Sequence, residues 1–383
     1  MVIYLDRSLS NVLTGDLEAS ERDWFLFSDL LSADYNADHS IFIDAQLTAD
    51  ILSHSPDPRQ RRWLMHIDSR TTMLASLAAY VDHVLVLASG DLQSLRLPSC
   101  IDTKKVVVDW TVFERSMLSK SILLGENLDD CKFYSIIAKY YLSRNRINGY
   151  ECACEHNGGG GNTTSLTYKN HVLSQHKLCL CIADSDKHFD SPSAPRGNTL
   201  SALIAVQRHI EHSNMRFLGK LIALPVLEAE NLIPLSVLRC CFSKDCNCQQ
   251  GLGILEQFSN FFPDDEHNPA LFYDLKKGLR AKHCASSVNS ETVRYWRQVF
   301  SDMGDEIVTD YDDTPLPDEK KDCVIRAGIS NNNLLRKVIQ HIDSPTLAPN
   351  LSEIFVDGYL LELWDMIGRA IFTWSCAPVS HSS

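Results

Sequence analysis

In the middle of the chain, apolar runs repeatedly stop at carboxylates. Glu126 follows Ile122-Leu123-Leu124-Gly125, Asp184 and Asp186 follow Leu178–Ala183, and Glu228 and Glu230 follow Phe217–Val226. Asp130 lies one helical turn beyond Glu126, at i+4. Carboxylates gathered at one rim repel and do not all ionise without a cation. Hard oxygen donors select Mg²⁺ or Mn²⁺, and Mg²⁺ binds through one or two carboxylates plus substrate phosphate oxygens. Two such ions about 3.5–4 Å apart clamp the attacking and leaving oxygens of a phosphodiester. The glycine run Gly158 to Gly161 adds a place where backbone approaches closely or turns its N–H groups to an anion. The chemistry this pattern suggests is metal-assisted phosphoryl transfer.

These side chains need strand ends to hold them. Ser121–Gly125 reads as a buried strand. Asp129 to Asn145 reads as a helix, with Phe133, Ile136, Ile137, Tyr140 and Tyr141 on one face and Asn127 or Asp129 as its cap. Tyr150–Glu155 predicts a second strand, Ser165–His176 a helix, Leu178–Ala183 a third strand. Thr199–His212 follows as a helix and Phe217–Val226 as a fourth strand. Wholly apolar strands alternating with helices require a parallel sheet covered on both faces. Right-handed crossovers then align the strands' C-terminal ends along one edge.

Ile122 to Asp130, then Gly158–Gly161, then Cys181-Ile182-Ala183-Asp184-Ser185-Asp186, resembles the Toprim domain. The nearer likeness is to Toprim nucleases of overcoming-lysogenization-defect type and related bacterial anti-phage effectors, where a Glu–Asn pair such as Glu230-Asn231 often follows the last strand. The resemblance covers about 115 residues, counted over the strand–helix pattern. It implies a central Toprim-like parallel sheet with helices on both faces and catalysis with Mg²⁺ or Mn²⁺, two ions being expected. Glu126 corresponds to the family's Glu, a metal ligand or general base. Asp184 and Asp186 correspond to its Asp-x-Asp ligands, and Asp130 and Glu230 to the extra ligands of the nuclease branch, with Glu228 competing for the last role. The expected catalytic set is Glu126, Asp130, Asp184 and Asp186, and the expected metal ligands are these four with Glu230. One departure is Asn127, where the family has glycine; the missing glycine would crowd the turn.

Each element also has a plainer reading. Strand-end carboxylates solvate loops, Asp130 suits a first helical turn, and four glycines make a flexible loop. Lys187 and His188 read as surface, although Lys187 could stabilise a pentavalent phosphate.

The flanking regions give less. Residues 1–118 alternate apolar runs closing in Asp6, Asp44, Asp91 and Asp109 with helix-like stretches such as Trp24–Leu31 and Thr72–Val81, a second α/β domain. Its carboxylates resemble the acidic cluster of PIN-like ribonucleases, a rival site. Residues 119–235 form the Toprim-like catalytic domain. Residues 236–383 read as mainly helical, with Thr292–Met303 and Leu351–Phe372 as helices and Asp305–Asp322 as a loop. There, Asp274-Leu275-Lys276-Lys277-Gly278 and the Trp296 helix could touch nucleic acid, though a buried aromatic is the plainer account. Cys240, Cys241, Cys246 and Cys248 match no paired C-x-x-C zinc pattern.

The 383 residues carry 36 basic and 49 acidic side chains, a formal charge of −13. That balance argues against a basic nucleic-acid coat and leaves a locally gripped substrate open. No apolar run suits a membrane span, no basic signal region opens the chain, and thirteen cysteines read as reduced thiols, so a cytoplasmic protein is expected. The reading is a divalent-metal endonuclease acting on DNA or RNA in anti-phage defence, beside a partner ATPase or sensor, as a monomer or homo-oligomer. No G-x-x-x-x-G-K-[ST] occurs in the chain itself. The rivals are a non-catalytic Toprim-like interaction subunit and a PIN-like ribonuclease acting through residues 1–118.

Overall fold

The computed structural model describes the chain except residues 15–20, 55–56, 94, 264–266, 289, 310–311, 313, 330, 332, 345–353, 355, 357 and 380–383. It forms two compact units. One comprises Met1–Cys181, Leu203–Leu221 and Met366–Ser383; the other comprises Ile182–Ala202 and Ile222–Asp365.

The first unit opens with strands β1 (Val2–Leu5), β2 (Ser40–Ile43), β3 (Val84–Ala88) and β4 (Lys105–Asp109), in spatial order β2-β1-β3-β4. All three pairings are parallel, with Val2 beside Ser40, Ile3 beside Leu85 and Val84 beside Lys105. β1, β2 and β3 are buried along their whole length, as strands covered on both faces must be. These are the four runs expected to close in Asp6, Asp44, Asp91 and Asp109.

A second sheet follows. Its strands are β5 (Ser121–Gly125), β7 (Cys154–Gly158), β8 (Cys179–Ala183) and β9 (Gly219–Ala223), in order β7-β5-β8-β9. β5 pairs parallel with β7, Ser121 beside Cys154, and with β8, Ile122 beside Cys179. The chain is thus α/β and built on parallel pairing. The helix Leu128–Arg144 buries Phe133, Ile136, Ile137, Tyr140 and Tyr141, the face the periodicity marks.

The expected Tyr150–Glu155 strand divides at Ala153. Its first part, β6 (Tyr150–Cys152), leaves that sheet to pair antiparallel with the last strand, β12 (Cys376–Pro378). The expected Ser165–His176 helix is α-helical over Thr164–Lys169 and widens to a π-turn over Asn170–Ser174. Near the C-terminus the helix runs Gly358–Ser375 rather than Leu351–Phe372, and residues 351–353 lie outside the described residues. Gly368 lets that helix close on its neighbour, since a Cβ there would stand 2.5 Å from the Tyr141 Cβ.

The second unit is mainly helical, with helices Leu235–Phe242, Gln249–Phe261 and Glu291–Asp302 among others. It also holds a small antiparallel pair, β10 (Leu279–Arg280) and β11 (Val324–Arg326). Among the described residues, no helix is long and apolar enough to cross a membrane.

Candidate carboxylate site

The singled-out carboxylates fall into two groups, one in each unit. In the first unit, Glu126 and Asp130 bracket the turn from β5 into the Leu128–Arg144 helix. Asn127 caps that helix in an extended conformation, φ −129°. Any L-residue adopts such a φ, so asparagine at this position does not strain the turn as the sequence suggested. Asp130 is buried, and its Oδ2 accepts the Asn127 N–H at 2.8 Å, the returning half of a capping box. Its carboxylate therefore already has a structural duty.

The glycine run closes against the same turn. Gly159 donates its N–H to the Gly125 carbonyl at 2.9 Å, and Gly160 donates to the Glu126 carbonyl at 3.0 Å. A Cβ on Gly158 would meet the Leu128 nitrogen at 3.1 Å, and Gly160 holds φ +76°. Of the two roles expected for these glycines, close backbone approach is the one seen. The Gly159 and Gly160 amides face carbonyls rather than an anion.

In the second unit, the loops after β8 and β9 are stitched together. Ser185 Oγ donates to the Val226 carbonyl at 2.5 Å, and Asp186 N–H donates to the Leu227 carbonyl at 3.0 Å. Ala229 N–H donates to Asp184 Oδ1 at 2.9 Å. Asp186 takes φ +56°, a left-handed conformation that costs an L-residue about 1 kcal/mol, least for Asp and Asn. Gly197 leaves room for its carboxylate, which a Cβ at that position would overlap.

Glu228 and Glu230 follow directly. Lys276 Nζ stands 2.7 Å from Glu228 Oε2 and 3.2 Å from Glu230 Oε1. Burial pushes the Glu228 carboxyl above its ordinary range, the Lys276 ammonium opposes that, and Glu230 adds to it. Burial would lower Lys276, but the carboxylates of Glu230 and Glu228 outweigh it and hold the ammonium well above its usual range. The lysine's delivery is built in. Asn231 Nδ2 donates to the carbonyls of Ala270 and Tyr273 at 2.7 and 2.8 Å. Asp274 Oδ1 then accepts the N–H groups of Lys276 and Lys277, and Gly278 closes the turn at φ +72°. Neither the i, i+4 rule nor a motif links Glu230 to a lysine so far along the chain. The Asp274-Leu275-Lys276-Lys277-Gly278 segment is the only trace of this contact in the sequence.

Other readings separate as follows. His188, expected on the surface, is half-buried with its ring centroid 4.5 Å from that of buried His283. Burial lowers both imidazoles, that of His283 to about 3. Lys187 reaches the Ser191 carbonyl at 3.4 Å. Trp296 is core, packed among Phe258, Tyr273, Tyr295 and Phe300. At the ends of the first sheet, Asp6, Asp44, Asp91 and Asp109 each accept the backbone N–H two residues on, from Ser8, Gln46, Gln93 and Thr111. That is turn capping. Among the described residues, no three or more His, Cys, Asp or Glu side chains gather closely enough to hold a metal ion, the Cys240–Cys248 segment included.

No family model, curated protein or solved structure matches this chain.

Proposed function

We propose that the chain is a divalent-metal-dependent endonuclease that hydrolyses nucleic-acid phosphodiester bonds as an effector of bacterial anti-phage defence. The observation that carries this reading is the second unit's acidic loop pair. There Asp184 is fixed by the Ala229 amide, and Glu228 and Glu230 share a single ammonium. Lys276 already serves as the cation of Glu228 and Glu230, and a carboxylate donor set of oxygens alone would fit Mg²⁺ or Mn²⁺. Such an ion supplies charge neutralisation at the phosphate under attack.

Asp184, Asp186 and Glu230 are the proposed ligands in this unit, and Glu126 and Asp130 in the other. Glu126 is the proposed general base, taking the proton of the attacking water. Lys276 tethers Glu228 and Glu230 and offers a positive charge to a phosphate oxygen. The Toprim resemblance supports the nuclease chemistry, the defence role and a partner ATPase or sensor. The α/β architecture and the unstrained Asn127 turn agree with it.

A second reading, a non-catalytic Toprim-like interaction subunit, is favoured by the two duties already seen: Asp130 as a cap and Lys276 as the cation of Glu228 and Glu230. Incubating the protein with plasmid DNA, phage DNA and tRNA in Mg²⁺, Mn²⁺ or EDTA separates the two. Cleavage that needs metal and is lost in both Glu126→Gln and Asp184→Asn supports the nuclease. Absence of cleavage in every metal, with and without an activating partner, supports the subunit.

A further inference from the structure

The first unit carries a basic and aromatic helix that none of the carboxylate chemistry uses. Pro58–Ser69 reads Pro-Arg-Gln-Arg-Arg-Trp-Leu-Met-His-Ile-Asp-Ser, starting from the Asp57 cap. Leu64 and Ile67 face the core, whereas Arg59, Arg61, Arg62 and Met65 are exposed. No described carboxylate pairs with these three arginines, although the chain as a whole carries −13. Helical spacing sets Arg59, Trp63, His66 and Arg70 in one stripe, at i, i+4, i+7 and i+11.

That stripe borders a cavity of about 380 Å³, lined among others by Tyr35, Trp63, His66, Arg70, Met73 and Tyr150. The volume lies in the lower part of the small-molecule range of about 300–1,000 Å³. Trp63 meets Tyr35 edge to face at 4.9 Å and His66 at 4.6 Å with a 32° tilt, so flat π-surfaces are already arranged around it. Tyr35 and Met73 are among the exposed large apolar side chains. Buried Asp34 orients Arg70 through a 2.6 Å ion pair, and the buried Arg70 Nε and Trp63 Nε1 find no acceptor among the described residues. The cleft thus offers aromatic faces, and Arg59 and Arg62 stand exposed on the same helix.

We infer that this cleft binds single-stranded nucleic acid. One unstacked base lies against the Tyr35, Trp63 and His66 rings, and Arg59 and Arg62 take the adjoining phosphates. A duplex keeps its bases stacked inward and cannot fill the cavity, whereas base-on-aromatic stacking tolerates any sequence. The inference goes beyond the hydrolysis reading and uses none of its carboxylates.

The test is fluorescence anisotropy of the full chain with labelled 12-mers of dT and rU and a 12-base-pair duplex, in EDTA so that no cleavage intervenes. Single strands bind and duplex binds more weakly. Trp63→Ala weakens single-strand binding about tenfold, in line with the loss of one stacked base. Trp63→Phe, which keeps a ring and guards against a folding artefact, retains most of it. Arg59→Glu combined with Arg62→Glu weakens binding and lowers the slope of log K against log salt by about 1.4, two phosphate contacts. Binding is read in EDTA, where no hydrolysis occurs, so failure of hydrolysis and failure of this surface are read separately. No single-strand binding at low salt, equal binding by Trp63→Ala, or equal binding of duplex would overturn the inference.

Discussion

Lys276 Nζ lies 2.7 Å from Glu228 Oε2, and through that ion pair a loop far along the chain holds the carboxylates that follow β9. The second contact, to Glu230 at 3.2 Å, makes one ammonium serve two acids. Glu228 and Glu230, the two candidates for the last ligand position, are joint partners of one lysine.

Removing that cation leaves two partly buried carboxylates facing each other. Lys276→Met is expected to lose about 2 kcal/mol of stability, below the 3–5 typical of a fully buried pair because the lysine is a quarter exposed. The Glu228 carboxyl is already raised by burial, and losing Lys276 raises it further. A raised acid favours the protonated folded chain, so the variant's stability falls as pH rises from the ordinary glutamate range. Urea unfolding between pH 4.5 and 8 checks this. Added Mn²⁺ should restore part of the loss, by replacing the missing cation.

His283 gives a trend of opposite sense. Burial holds it at about 3, with His188, Lys282 and Arg280 adding to the effect. Between pH 6.5 and about 3 the unfolded chain takes up a proton that the folded chain refuses. Stability therefore drops as acid is added through that window, by at most about 1.4 kcal/mol per pH unit. His283→Phe should flatten the curve of unfolding midpoint against pH over that interval, whereas an unchanged slope would remove His283 as its source.

Asp130 separates structure from chemistry. Asp130→Ala removes the acceptor for the Asn127 N–H and should cost about 1 kcal/mol. Asp130→Asn keeps an acceptor oxygen and should fold nearly as stably. If Asp130 is a ligand, the asparagine variant loses cleavage without losing stability. Thermal unfolding and a cleavage assay on the same two proteins decide it.

Gly160 and Gly159 should resist substitution for different reasons. Gly160→Ala forces a Cβ onto φ +76° and close to Thr163 Oγ1, and Gly159→Ala drives a Cβ into Thr164. Each should destabilise by more than 1 kcal/mol, and both would disturb the carbonyl contacts that hold the turn at Glu126. Circular dichroism melts of the two variants test this.

Much of the fold was legible because burial leaves a local signature. The four runs of the first sheet became β1 to β4, and the Leu128–Arg144 helix buries the face its periodicity marked. What escaped was non-local. Nothing in Tyr150–Glu155 announces that β6 leaves its sheet to pair with β12, since that partner arrives from the far end of the chain. Lys276 escaped for the same reason, because no spacing rule ties a lysine to a glutamate across an intervening helical segment. Asn127 was misjudged because the turn holds it at an extended φ that any L-residue adopts, so no glycine is needed there. The Arg59–Arg70 stripe went unread in the sequence, and the cavity beside it needs Tyr150 and Met73 from elsewhere in the unit.

The central claim is that the carboxylates after β5 and β8 serve metal-dependent phosphodiester hydrolysis. Cleavage of plasmid DNA, phage DNA and tRNA by the parent protein, Glu126→Gln and Asp184→Asn, each in Mg²⁺, Mn²⁺ and EDTA, measures it most directly. The account predicts metal-dependent cleavage of at least one substrate by the parent and none by either variant, with all three proteins equally folded. Cleavage that persists in both variants and disappears in Asp6→Asn would contradict it and move the chemistry to the first sheet.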